Sequence, residues 1–125
     1  MMKDIIDSIL QARSEYKREA YYYVARAIES LHDKIREEEN RRRHISGREL
    51  VDGMISLAKE DYGYLAYAVF EEWGIRTTED IGTIVFLMVE EGILAAQSSD
   101  SKKDFKDVCD LKKAFEEEYR DFSIE

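Results

Sequence analysis

Apolar residues recur along this chain at steps of three and four, the spacing that lines up side chains on one face of an α-helix. Ile5, Ile6, Ile9 and Leu10 predict a short helix over about residues 3–12. Tyr16, Ala20, Tyr23, Val24, Ala27, Ile28, Leu31 and Ile35 follow a single stripe and predict a long helix over about 15–38. The stripe stops at Glu37, Glu38, Glu39, Asn40, Arg41, Arg42, Arg43 and His44, which contain no apolar residue and predict a solvated connection.

Ser46 and Glu49 have the spacing of a capping box, and Leu50, Val51, Met54, Ile55, Leu57 and Ala58 follow as a third helix that Gly63 ends or turns. Leu65, Ala66, Val69, Phe70 and Trp73 share one face of a fourth helix over about 64–73, with Gly74 placed for a left-handed C-terminal cap. Thr77 or Thr78 caps a fifth helix that carries Glu79 and Asp80 in its first turn. Ile81, Ile84, Val85, Met88 and Val89 face inward there, and Phe86 and Leu87 widen the stripe, which implies burial on two sides. After Gly92, residues 93–96 and 104–108 flank a polar tip and predict at most one small β-hairpin. Leu111, Ala114, Phe115 and Tyr119 belong to a final helix over about 110–120.

The expected fold is therefore mainly α: five or six helices in a single domain over 1–125. Residues 1–39 form the N-terminal helices, and three helices followed by a hairpin give residues 46–108 the order of a winged helix. That likeness concerns shape alone. At 125 residues one core is feasible without staples. The single cysteine, Cys109, excludes an intramolecular disulfide and argues against a cysteine-based zinc site. No apolar run approaches a bilayer span, and Asp4 and Asp7 interrupt the start where a secretory segment would be apolar, so the expectation is a cytoplasmic protein without a membrane contact.

Charge is unevenly placed. Residues 1–60 balance 12 basic against 12 acidic side chains, whereas residues 61–125 carry 7 against 16. Phosphate repulsion along that second part confines any nucleic-acid contact to the first. The strongest positive cluster is Arg41, Arg42, Arg43, His44 and Arg48; with the Ser46 hydroxyl and the backbone N–H groups around Gly47, it forms a candidate anion site at a helix start. Glu37, Glu38 and Glu39 lie close enough to neutralise it. In the winged-helix arrangement the helix over 78–91 would face a major groove, yet it has four acids and no base.

Tyr21, Tyr22 and Tyr23 sweep about 200° of helix surface, so they cannot all face one core. At least one is expected to be exposed or at an interface, which makes the three a candidate contact seam. Glu29 and His32 form one Glu-x-x-His pair, where a di-iron bundle needs two. The acid pairs Glu60-Asp61, Glu71-Glu72 and Glu90-Glu91 sit near helix ends and are expected to be solvated. Asp100, Asp104, Asp107 and Asp110 lack the spacing of a calcium loop, and Cys109 is expected to be a small half-buried residue. No catalytic set, metal site or cofactor motif assembles.

Several segments together resemble a known group: Glu19-Ala20-Tyr21-Tyr22-Tyr23-Val24, His44-Ile45-Ser46-Gly47-Arg48-Glu49-Leu50, Glu72-Trp73-Gly74 and Asp80-Ile81-Gly82-Thr83-Ile84-Val85-Phe86. They look like the small bacterial proteins described as a Verrucomicrobia and Planctomycetes restricted family. The likeness continues through Gly92-Ile93-Leu94, Asp100-Ser101, Asp104-Phe105 and Asp110-Leu111. It implies a stand-alone domain and transfers no activity or site. The residues themselves point to a non-enzymatic interaction module whose partner is another protein or a second copy. Local phosphate or nucleic-acid binding at residues 41–48 is the first alternative, and a metal-assisted hydrolase is the least supported.

Overall fold

The long helix begins later than its apolar stripe does. The computed structural model describes residues 2–94 and 102–116, and in it α1 (Met2–Ala12) is followed by α2 (Arg18–Glu39). Lys17 stays extended, because its N–H donates to the Trp73 carbonyl at 3.0 Å rather than starting a helix. Tyr16 is therefore a linker residue. Its ring is nonetheless buried, and its hydroxyl donates to Asp80 at 2.7 Å.

Asn40, left-handed at φ 52°, ends α2 and donates its N–H to the Arg36 carbonyl. α3 (Gly47–Tyr62) opens with the expected capping box: the Ser46 hydroxyl accepts the Glu49 N–H at 3.1 Å while the Glu49 carboxylate accepts the Ser46 N–H at 3.0 Å. The fourth helix departs from expectation at its start. Gly63–Leu65 is a turn of 3₁₀-helix, and α4 (Ala66–Glu72) follows it. The 3₁₀ turn changes the angular step per residue. Leu65 is consequently 52% exposed, while Ala66, Phe70 and Trp73 stay buried.

Gly74 has the expected left-handed backbone, φ +97°. Its N–H donates to the Glu71 carbonyl and that of Ile75 to the Phe70 carbonyl, the two bonds of a Schellman ending. A side chain at Gly74 would also overlap the Glu15 carbonyl, so the same residue lets the α1–α2 linker lie against the end of α4. In α5 (Thr78–Glu90), Ile81, Ile84, Val85, Leu87 and Met88 are buried, but Phe86 is 41% exposed, so the widened stripe holds for Leu87 alone.

The hairpin expectation is corrected. Among the described residues there is no strand, and Lys102–Phe105, where the second arm would run, is a 3₁₀ turn. The first arm falls partly in residues 95–101, outside the described residues. Burial explains the turn, since Phe105 is only 4% exposed, with its side chain against α5 at Gly82. The winged-helix likeness thus lacks the second arm of its wing. Residues 111–116 are helical, and the rest of the expected last helix lies outside the described residues.

The core is continuous from α1 to that last helix. Its aromatic centre is Tyr23, 5.2 Å from Trp73 and 5.8 Å from Phe70 between ring centroids. Phe115 stands edge-on to Phe70 at 5.5 Å and ties the last helix to α4. Thr78 is fully buried; its hydroxyl donates to the Phe105 carbonyl at 2.6 Å and accepts the Val108 N–H at 3.3 Å. Thr78→Val keeps the shape and strands both backbone groups. It is expected to lower unfolding free energy by about 1–3 kcal/mol in urea denaturation; an unchanged midpoint would show that the hydroxyl does not hold this segment.

Candidate functional site

Within the arginine cluster predicted as an anion site, Arg43 is held in a clamp of two carboxylates. Arg43 lies between the end of α2 and the start of α3. Its Nε and Nη2 donate to Glu39 at 3.0 and 2.9 Å, and Nη1 and Nη2 donate to Glu49 at 3.0 and 2.8 Å. Nη1 also reaches the His44 carbonyl at 2.9 Å. Arg41 adds a longer pair with Glu39 at 3.5 Å. Two carboxylates hold the Arg43 guanidinium charged well above its ordinary value. Hydrogen bonds from Arg43 and from the Ser46 backbone lower the Glu49 carboxyl to about 2.

The Glu49 carboxylate thus takes up the Ser46 N–H and part of the Arg43 guanidinium, two donors that an anion at this helix start would otherwise use. Gly47 is buried, and a side chain there would meet the Asp104 backbone, so its role is close packing against the 3₁₀ turn rather than flexibility around a ligand. Arg41, Arg42, His44, Ser46 and Arg48 are exposed. They flank the clamp without closing a cradle.

The tyrosine triplet splits by depth. Tyr21 is fully buried and Tyr23 is 5% exposed, which leaves Tyr22, at 37%, as the member with an outward surface. A seam along this helix can use Tyr22 alone, because α2 is covered by α1, α3 and α5. Tyr23 donates to Asp61 at 2.9 Å, and Arg26 reaches the same oxygen. The Tyr21 hydroxyl is buried with no hydrogen-bond partner among the described residues. Burial raises the pKa of all three buried phenols, Tyr16, Tyr21 and Tyr23, and the neighbouring Asp80 and Asp61 add to the effect at Tyr16 and Tyr23.

The remaining candidates are separated in space or used internally. Glu29 is exposed and His32 half-buried, and no group of three metal-ligating side chains occurs among the described residues. Of the paired acids, Asp61 serves Tyr23 and Arg26, and Glu72 pairs with Lys17 at 2.8 Å. Cys109 is half-buried, and burial pushes its thiol up, away from thiolate chemistry at neutral pH. No helix among the described residues is long and apolar enough to cross a membrane.

Sequence reasoning missed one surface. Tyr64 is 79% exposed beside Leu65, and next to them a groove of about 330 Å³ is walled by Tyr67, Ala68, Phe115 and Glu116. A wider cleft of about 880 Å³ adjoins it across Tyr67, between the start of α5 and residues 107–112. The periodic pattern assigned Leu65 inward; only the 3₁₀ turn after Gly63 turns it out. No family profile, curated protein or solved structure matches the chain.

Two measurements follow from these contacts. Glu49→Gln preserves the reach to the Ser46 N–H and removes the charge. Because the folded carboxyl sits near 2 and its ordinary value is 4.5, its contribution is complete above 4.5 and disappears as pH falls through 2. The variant is expected to be less stable at pH 7 by about 1 kcal/mol, discounted for solvent screening, and the gap to wild type should close between pH 4.5 and 2; a gap independent of pH would exclude the clamp. Tyr21→Phe, which removes an unpaired buried hydroxyl, is expected to be neutral or stabilising by up to about 1 kcal/mol, whereas Tyr16→Phe costs about 1 kcal/mol. Thermal unfolding of the two variants side by side checks the order.

Proposed function

We propose that the protein is a non-enzymatic interaction module of the cytoplasm that contacts another protein through the surface around Tyr64 and Leu65. The observation that carries this reading is the exposure of those two large apolar residues, 79% and 52%, beside an apolar groove. Isolated exposed apolar side chains are ordinary, but contiguous ones next to a concave apolar site mark contact surfaces. Tyrosine suits such a place because it buries much area while keeping a polar tip. The resemblance to the Verrucomicrobia and Planctomycetes restricted family is compatible with a stand-alone domain and brings no activity. A hydrolase is disfavoured because two of the paired acids, Asp61 and Glu72, are engaged by Tyr23, Arg26 and Lys17, and no three metal-ligating side chains come together among the described residues.

A second reading, local phosphate or nucleic-acid contact, has in its favour the exposed Arg42 and Arg48 on either side of the clamp. It is weaker because Arg43, the best placed guanidinium, is engaged by two carboxylates.

A photo-crosslinking residue placed at position 65 of the full chain, with positions 22 and 42 as comparison sites, tests the two readings. Expected is a discrete protein adduct from 65, with less from 22 and 42. Adducts to nucleic acid from 42 alone would favour the second reading, and no adduct from any of the three positions would reject the interaction module.

A further inference from the structure

The groove and the wider cleft meet at Tyr67, so one elongated occupant can lie across both. Their walls differ in chemistry. The groove is apolar apart from Glu116, whereas the cleft carries Glu79, Asp107 and Asp110 against Arg76 and Lys112. Together the walls hold four acids and two bases, and they belong to the part of the chain with 16 acids against 7 bases. The local field and the regional field therefore have the same sign, which favours a cationic occupant.

We propose, building on the interaction-module reading, that this surface docks a basic peptide segment that places one large apolar side chain in the groove and lysines or arginines along the cleft. The apolar anchor takes the groove lined by Ala68 and by the Tyr67 and Phe115 rings, whose centroids are 6.4 Å apart. The basic side chains lie toward Asp107 and Asp110, on the far side of Tyr67. Apolar anchoring with charges at the edge is the general form of helix- and peptide-in-groove recognition. An acidic segment of the same apolar pattern meets walls with two more acids than bases and is disfavoured.

Cys109 makes the proposal measurable. It lines the cleft and is the chain's single cysteine, so an occupant of the cleft shields it from alkylation, while loose electrostatic adsorption elsewhere does not. The probes are two synthetic helical peptides with one leucine and tryptophan pattern, one with lysine and one with glutamate at the polar positions. On the full chain, the lysine peptide is expected to bind with an affinity that falls as salt rises and to slow maleimide labelling of Cys109 at least tenfold, and the glutamate peptide to do neither. Ala68→Arg, at an exposed position, fills the groove and is expected to weaken binding at least tenfold, whereas Glu90→Lys, on α5 away from both openings, changes it little. Equal binding of both peptides, or unchanged Cys109 labelling at saturating lysine peptide, overturns the proposal. If sedimentation shows a dimer that Ala68→Arg dissociates, the occupant is a second copy: the basic-segment proposal fails and the interaction module stands. Failure of the peptides together with no adduct from any of positions 65, 22 and 42 removes both.

Discussion

The hydroxyl of Thr78 satisfies the buried Phe105 carbonyl and the part-buried Val108 N–H, and the path of residues 102–108 depends on that. By accepting from Val108 and donating to Phe105, it pins residues 102–108 against the start of α5. A buried backbone polar group left unpaired is costly, so this arrangement leaves the returning chain little choice of path. The path brings Asp104 against Gly47, places Phe105 over Gly82, and delivers residues 111–116 to α4, where Phe115 meets Phe70. The groove exists because that last contact leaves a gap between Phe115 and the exposed side of α4.

A second set of ties works from the other end. Lys17 hydrogen-bonds Trp73 through the backbone, Tyr16 reaches Asp80, and the Arg18 guanidinium pairs with Asp7 on α1. Asp80 also accepts the N–H groups of Arg76 and Thr77, so one carboxylate both caps α5 and anchors the α1–α2 linker. The exposed pairs among these contribute little individually. Their value is in register, fixing which face of α2 meets α5, while the stabilisation comes from the apolar burial of Ala20, Val24 and Ala27.

Among the described residues, several charged side chains pair with one another at the joints between helices. Arg43 with Glu39 and Glu49 braces the turn between α2 and α3, and Asp61 receives Tyr23 and Arg26 between α2 and the end of α3. Side chains engaged in this way are poor candidates for ligand chemistry, because a ligand must first displace partners already at hydrogen-bond distance. That shifts attention from the arginine cluster, where Arg43 and Arg41 are paired with carboxylates, to the Tyr64 and Leu65 surface and the charged cleft beside it.

That the chain is mainly helical, and where most of its helices lie, was legible in the sequence alone, although the starts of α2 and α4 were not. The 3.6-residue period, the Ser46 and Glu49 box and the glycine at position 74 act over a few residues, and each appears where local chemistry requires it. The depth of each tyrosine was not determined locally: periodicity assigned Tyr23 inward, but Tyr21 is buried as well because neighbours cover α2 on more than one side. Likewise, the residues expected to form a second strand became a 3₁₀ turn once Phe105 found the core, and Leu65 turned outward when a 3₁₀ step preceded α4. The candidate site was legible only in part for the same reason. Sequence shows where charges and aromatics are concentrated, but which of them pair with each other depends on contacts between residues far apart in the chain, such as Tyr16 with Asp80 or Thr78 with Phe105, and those are decided by packing.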